Sequence, residues 1–376
     1  MCRKIKYGII LTVQEIGGSV RKMHTKIVKI QSDGEPFSPE EEEVLRQAGE
    51  VIKEGGLVAF PTETVYGLGG DGLNRESSRK IYAAKGRPSD NPLIIHICRL
   101  EDIYLIVQEF SEAARRAAEF FWPGPLTMIL PKSGRVPYET TGGLDTVAVR
   151  FPSHPTARKL ISYGGGYVAA PSANLSGKPS PTAAKYVIED MDGRIDMILD
   201  GGEDDIGLES TIVDMTVTPP QILRPGFITR EMLEEVLGKV DIDAALIESE
   251  STRIPRAPGM KYRHYAPNGE LTIVEGPPEQ VIDYMNRAAA ADGIAGEKTG
   301  IIATSDFLDS YSADVIKCVG SRKEEEGIAR KLFAILREFD DEGVTRIYSE
   351  SFDSQGLGQA IMNRLLKAAG HNVVRL

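Results

Sequence analysis

One arrangement recurs along most of this chain: a short apolar run that stops at Pro or Gly, a polar or helical stretch, then another apolar run. LVAFPT, PLIIHI, VAVRFP and GYVAAPSAN follow it in the first part, and LTIVEG, TGIIAT, ADVIKCVG, TRIYSES and NVVRL follow it near the C-terminus. Runs this short and apolar suit buried strands covered by helices, and their alternation with helical patterns makes the class α/β. The first helical pattern is SPEEEEVLRQAGEVIKEGG. Ser38 can cap it, Pro39 takes the first helical position, Glu41 completes a capping box, and Gly55 and Gly56 end it. Val44, Leu45, Ala48, Val51 and Ile52 recur at three and four, which gives one buried stripe. Further helices are expected at about 75 to 84 and about 101 to 120.

At 376 residues the chain exceeds one ordinary core, so two domains are expected. The organisation read from the pattern is an N-terminal extension over 1–22, a first domain over 23–238, a connector over 239–269 and a second domain over 270–376. The second domain reads as a smaller open sheet of the Rossmann kind. KIKYGIILTV places basic residues before an apolar run of about seven residues, too short and lacking the small-residue cleavage site of a signal peptide. Met23 opens MHTKIVKI, which reads as a first strand. No run approaches the roughly 20 apolar residues of a membrane helix, so no membrane partner is expected.

With 44 Lys and Arg against 55 Asp and Glu, the net charge of −11 has the wrong sign for a surface that coats nucleic acid or anionic lipid. Cys2, Cys98 and Cys318 stand far apart and form neither a disulfide framework nor a CxxC knuckle, which fits a cytoplasmic location and no structural metal.

GLGGDG spaces Gly67, Gly69 and Gly72 like a dinucleotide fingerprint, but PTETVY separates it from the strand and no helix opens on it, so backbone turns are the expected role. A Walker A loop, HExxH and GxSxG are absent. AAKGRPSDNPLIIH crowds Lys85, Arg87, Asn91 and His96 between a helix end and a strand. The two cations could merely complement the helix C-terminus, or they could cradle phosphates, Lys as a point charge and Arg as a planar fork. AAPSANLSGKPSPT sets Ser172, Asn174, Ser176 and Ser180 after a buried strand, which is either a plain Ser/Asn turn or a ligand loop. Ser210, Thr211 and Arg224 fall at strand ends, and Thr146 and Arg150 bracket TVAVR. Taken together, four cations (Lys85, Arg87, Arg150, Arg224) occur with hydroxyls and one histidine, without a recurring carboxylate pair. That set suits a polyanionic substrate and phosphoryl or nucleotidyl transfer, which depends on positioning and charge neutralisation.

The strings FPTETVYGLG, KGRPSDNPLIIH, WPGPLT, VAVRFP, APSANLSG, STIVD and LRPG, in this order, resemble the YrdC-like family. PGMKYRHYAP and the α/β tail are similar to its two-domain branch, the threonylcarbamoyl-AMP synthases. The resemblance spans about residues 40 to 376, and the family's KxR and SxN signature falls on Lys85, Arg87, Ser172 and Asn174. It implies a twisted mixed-sheet domain with a concave pocket, followed by a smaller Rossmann-like parallel α/β domain. It also implies a nucleotidyltransferase that makes L-threonylcarbamoyladenylate and diphosphate from L-threonine, bicarbonate and ATP. A downstream transferase complex would use this product to modify adenosine 37 of tRNA. Carried over by motif, Lys85 and Arg87 are the catalytic pair, with Lys85 neutralising phosphate charge. Arg87, Asn91, Thr146, Ser172, Asn174, Ser180 and Arg224 are the implied ATP contacts, and Thr64, His96, Arg150 and Ser210 the implied threonine contacts. Mg²⁺ would accompany ATP without a dedicated protein ligand set.

Two other readings share parts of this pattern. A double-stranded RNA-binding YrdC-like module should be basic, yet residues 51–230 hold 19 Lys and Arg against 22 Asp and Glu. A hydrogenase-maturation carbamoyltransferase would need zinc-finger and acylphosphatase modules, which this sequence lacks. The connector is an odd composition for a tether, with Tyr262, His264 and Tyr265 beside Arg256, Lys261 and Arg263. It is expected to fold over the pocket as a lid and exclude water from a labile adenylate, with Tyr262 as its ligand contact.

Overall fold

The computed structural model describes residues 24–32, 34–243, 246 and 264–376. Tyr262 and most of the connector therefore lie outside the described residues, as does the N-terminal extension. Sixteen strands are described: β1 (Lys26–Lys29), β2 (Val58–Phe60), β3 (Gly67–Asp71), β4 (Ile94–His96), β5 (Leu126–Pro131), β6 (Thr146–Arg150), β7 (Val168–Ala169), β8 (Met197–Asp200), β9 (Thr211–Asp214), β10 (Gln221–Arg224), β11 (Asp241–Ile242), β12 (Glu270–Glu275), β13 (Thr299–Thr304), β14 (Val315–Gly320), β15 (Arg346–Glu350) and β16 (Val373–Arg375).

The first eleven form one mixed sheet, in the order β1-β8-β2-β3-β7-β4-β6-β5-β9-β10-β11. The last five form a wholly parallel sheet, β14-β13-β15-β12-β16. A larger mixed sheet followed by a smaller parallel one is the α/β architecture that the sequence leads one to expect. Residues 241 and 242, read from sequence as connector, pair in parallel with β10 and extend the first sheet.

Alternation along the strands places the helices. On one face of the first sheet, Phe60, Met197 and Leu199 pack with Leu45 and Ile52 of the helix Pro39–Lys53 and with Leu160. On the other, Ala59, Leu68 and Ile198 pack with Ile81 and with Val187 and Met191. The capping box is present: the Ser38 hydroxyl accepts from the Glu41 N–H, and the Glu41 carboxylate accepts from the Ser38 N–H. In the second domain, Ile301 and Ala303 of β13 face Val281 and Met285, whereas Ile302 faces Phe333 and Leu336. One residue of shift exchanges these faces.

That second cluster reaches beyond its own domain. Val65, Leu208 and Tyr265 join Phe333, Leu336 and Ile361 in a single core. At Gly207 the loop before β9 lies close against the helix Glu325–Asp341. The φ of Gly207 is +78°, and a Cβ placed there would lie 2.4 Å from Cα of Arg330. Only glycine allows that helix to lie against the loop.

The GLGGDG motif behaves differently from the turn expected of it. Gly67 and Gly69 belong to β3, and a Cβ on either would press on the ring of Phe60 in the neighbouring strand. The missing side chains make room for an aromatic, and no dinucleotide loop is formed.

Candidate active site

The carboxyl ends of β4, β6 and β10 meet the loops after β2 and β7 around one cavity. A crevice outside strand ends is where α/β sheets place their ligands. Of the residues singled out from sequence, Thr64, Lys85, Arg87, His96, Arg150, Ser172, Asn174, Ser210 and Arg224 line it. Four cations, separated by up to 139 positions in the chain, thus converge on one space.

Lys85 is the last residue of the helix Arg75–Lys85 and is 2% exposed. Gly86 follows in the left-handed region at φ +62°, which turns the chain so that Arg87 also enters the cavity. The Lys85 ammonium donates to the carbonyl oxygen of Ser172 at 2.6 Å and to that of Asn174. The KxR and SxN segments are therefore one bonded unit, and the helix-end reading of Lys85 does not describe where its side chain goes. Burial, with Arg87 nearby, pushes the Lys85 amine well below its usual range. Arg87 is half-buried and donates to the carbonyl oxygens of Asn91 and Pro92 at 3.3 and 3.2 Å.

His96 and Arg150 are register partners on the parallel strands β4 and β6. Burial, then the Arg150 charge, holds the His96 imidazole at about 3, so it is neutral at pH 7. Arg224 donates from Nε to the Ser210 carbonyl at 3.0 Å and from Nη2 to the Ser210 hydroxyl at 3.1 Å. Thr127 shares that hydroxyl at 2.8 Å. In the loop after β2, the Thr62 hydroxyl lies 2.9 Å from that of Thr64 and accepts from the Thr64 and Val65 N–H groups.

Three expected residues are not in the lining. Ser180 is buried and donates to Glu209 at 2.7 Å. Asn91 is 1% exposed, and neither polar atom of its side-chain amide has a hydrogen-bond partner among the described residues. Thr146 sits at the opposite end of β6 from Arg150, roughly 13 Å away by extended-strand spacing. At the end of the connector, His264 and Tyr265 line the cavity, and the Ala266 N–H donates to the Gly177 carbonyl at 2.9 Å.

The sequence reading missed the carboxylates. Glu63 is an ion-pair partner of Arg150 at 2.8 Å, and Glu209 lines the cavity between Arg224 and Arg364. Glu63 sits inside FPTETVYGLG next to Thr64 and Glu209 directly precedes Ser210, so the signal was there: two acids beside residues assigned to binding. Among the described residues, no group of three or more His, Cys, Asp or Glu could hold a metal ion. No helix among them is long and apolar enough to cross a membrane.

Comparison with known proteins identifies the family. A family model described as "Telomere recombination" matches residues 50–226, and one described as "Threonylcarbamoyl-AMP synthase, C-terminal domain" matches residues 228–370. The chain is 49% identical to a threonylcarbamoyl-AMP synthase of Pyrococcus abyssi, over 89% of this chain and 97% of that protein. It is 46% identical to one of Bacillus subtilis, over 88% and 94%. The structure of P. abyssi Sua5 complexed with L-threonine superposes with a TM-score of 0.88 at 47% identity, covering 94% of this chain and all of that one. Identity at this level, sustained through both domains in the same order, means that the chain belongs to the two-domain threonylcarbamoyl-AMP synthase family.

Proposed function

We propose that the cavity condenses L-threonine, bicarbonate and ATP into L-threonylcarbamoyladenylate and diphosphate. The observation that carries this reading is the convergence of Lys85, Arg87, Arg150 and Arg224 with a neutral His96 on one cavity. The structural relative that binds L-threonine supports it. The threonine ammonium gives up a proton to solvent, the free amine attacks bicarbonate carbon, and loss of water leaves a carbamate. A carbamate oxygen then attacks the α-phosphorus of ATP, the bond to the β-phosphate oxygen breaks, and diphosphate leaves with that electron pair.

The protein's part is binding and charge. Arg150 is the fork for the threonine carboxylate, with Thr64, His96 and Ser210 around the amino acid. Lys85 and Arg87 meet the phosphates. Burial disfavours the charged Lys85 amine and a polyanion favours it, and in a site away from bulk water their attraction is screened less than it would be in solution. Ser172, Asn174 and Arg224 complete the ATP contacts, while Asn91, Thr146 and Ser180 act only if the nucleotide reaches past the present lining. Mg²⁺ belongs to the triphosphate in this reading, because Glu63 and Glu209 are already committed to arginines. The adenylate serves modification of adenosine 37 of tRNA in the cytoplasm, through a separate transferase complex.

The decisive experiment incubates the purified protein with ATP, bicarbonate and threonine and follows diphosphate. Threonine-dependent release is expected. Binding of double-stranded RNA without such release would favour the RNA-binding alternative instead.

A further inference from the structure

Arg364 belongs to the helix Gly356–Ala368 of the second domain, yet its side chain is wholly buried against the first. Nε donates to Oε2 of Glu209 at 2.9 Å and Nη1 to the Pro225 carbonyl at 2.6 Å. The other Glu209 oxygen accepts from the Ser180 hydroxyl at 2.7 Å. One buried carboxylate thus stands between two arginines, Arg364 behind it and Arg224 on the cavity side. Arg224 spends its hydrogen bonds on Ser210 and not on Glu209. Burial alone would raise the Glu209 carboxyl. Arg364 first, then Arg224, outweigh it and hold the group at about 2, so the acid is ionised and matched from behind.

We propose that Arg364 is a positioning residue through which the second domain completes the nucleotide side of the cavity: by engaging Glu209 and Pro225, it keeps Arg224 directed at the substrate phosphates. Without Arg364, the buried Glu209 is left with Arg224 and with Lys367, whose amine burial and the neighbouring arginines hold at about 7, so the permanently charged Arg224 is the stronger partner and the carboxylate takes it. Arg224 is then withdrawn from Ser210 and from the nucleotide.

A second arginine shows what simple attachment looks like. Arg337, 3% exposed, docks the helix Glu325–Asp341 on Asp190 and the Pro179 carbonyl, and neither of these lines the cavity. Arg364 differs in closing on a cavity residue.

The inference rests on the ATP-dependent reading above, so the test includes a readout that does not need catalysis. In the full-length chain, Arg364→Met, Arg364→Lys and the double variant Arg364→Met with Glu209→Gln are compared with the unaltered protein. The readouts are threonine-dependent diphosphate release, ATP binding by calorimetry, and melting temperature. Arg364→Met should weaken ATP binding and raise the ATP KM at least tenfold, with the threonine KM within about twofold. The double variant should recover most of that loss, because a neutral amide no longer competes for Arg224. If Arg364→Met does not fold, Arg364→Lys carries the test with a smaller loss of the same selectivity. The idea is overturned if the variants melt earlier but bind ATP normally, or if neutralising Glu209 restores nothing. An unaltered protein that binds ATP but releases no diphosphate would sink the synthase reading, while the calorimetric comparison would still decide the role of Arg364.

Discussion

Glu63 forms a buried ion pair with Arg150, a residue that lines the cavity, Oε1 to Nη2 at 2.8 Å, with neither residue more than 6% exposed. The contact is ionic but poorly aligned, and Nε and Nη2 of Arg150 have no hydrogen-bond acceptor among the described residues. A guanidinium held in place with Nε and Nη2 unused is ready for a forked anion, which in the reading proposed above is the threonine carboxylate.

Arg150→Lys should therefore raise the threonine KM at least tenfold and the ATP KM by less than threefold, because a point charge cannot replace the fork. Steady-state kinetics with each substrate varied in turn checks this. A selective loss of ATP affinity would move Arg150 to the nucleotide side.

Lys85→Ala and Arg87→Ala should each reduce diphosphate release by two orders of magnitude or more, about 3 kcal/mol of transition-state stabilisation. Their stabilities should differ. Removing Lys85 leaves the Ser172 and Asn174 carbonyls without their donor, at about 1–3 kcal/mol, whereas Arg87 makes longer bonds to the Asn91 and Pro92 carbonyls, the first of which also accepts from the Tyr82 hydroxyl, and its removal should cost less. Thermal melts alongside the assay separate the two effects. Full activity in both variants would leave Lys85 as a tie to the Ser172–Asn174 loop and Arg87 as a charge beside the helix end.

How much of this was visible in the sequence varies with the range of the interaction. Apolar alternation and capping chemistry are local, so the strands, the Ser38 capping box and the α/β class could be read directly. The cations could be read because each lies in a short string at a strand or helix end. Glu209 could not be assigned, because its meaning depends on Arg364, 155 positions away on another domain. Gly67 and Gly69 were misjudged for the same reason: what they accommodate is the ring of Phe60 on the paired strand, which composition cannot show.

The Glu209 pair also sets a pH dependence. Its folded value of about 2 lies below its ordinary 4.5, so the unfolded chain binds more protons between those limits. The stabilisation is complete above pH 4.5 and is lost as pH falls toward 2, and its size is roughly 3 kcal/mol at most. Denaturant unfolding of the unaltered protein and of Arg364→Met, followed by circular dichroism, should show a stability gap that is widest near pH 6 and shrinks toward pH 2. A gap that stays constant over this range would mean that Glu209 draws nothing from Arg364.

Tyr265 closes the last wall of the cavity. Its φ is +64°, its ring stacks on Phe333 with centroids 5.0 Å apart, and it is 5% exposed. A non-glycine residue in the left-handed region is retained only where its surroundings fix it. Here the Ala266 bond to Gly177 and the Phe333 stack do so. Tyr265→Ala removes the ring that links the second domain's core to the cavity, at about 3–5 kcal/mol, and admits water to a labile carbamate and adenylate. The expected result is diphosphate release accompanied by free AMP in place of threonylcarbamoyladenylate, resolved by chromatography of the nucleotide products. Tyr265→Phe keeps the stack and should keep the product ratio. Equal AMP leakage from both variants would shift the role from the ring to the hydroxyl, and no leakage from either would leave Tyr265 as interdomain packing alone.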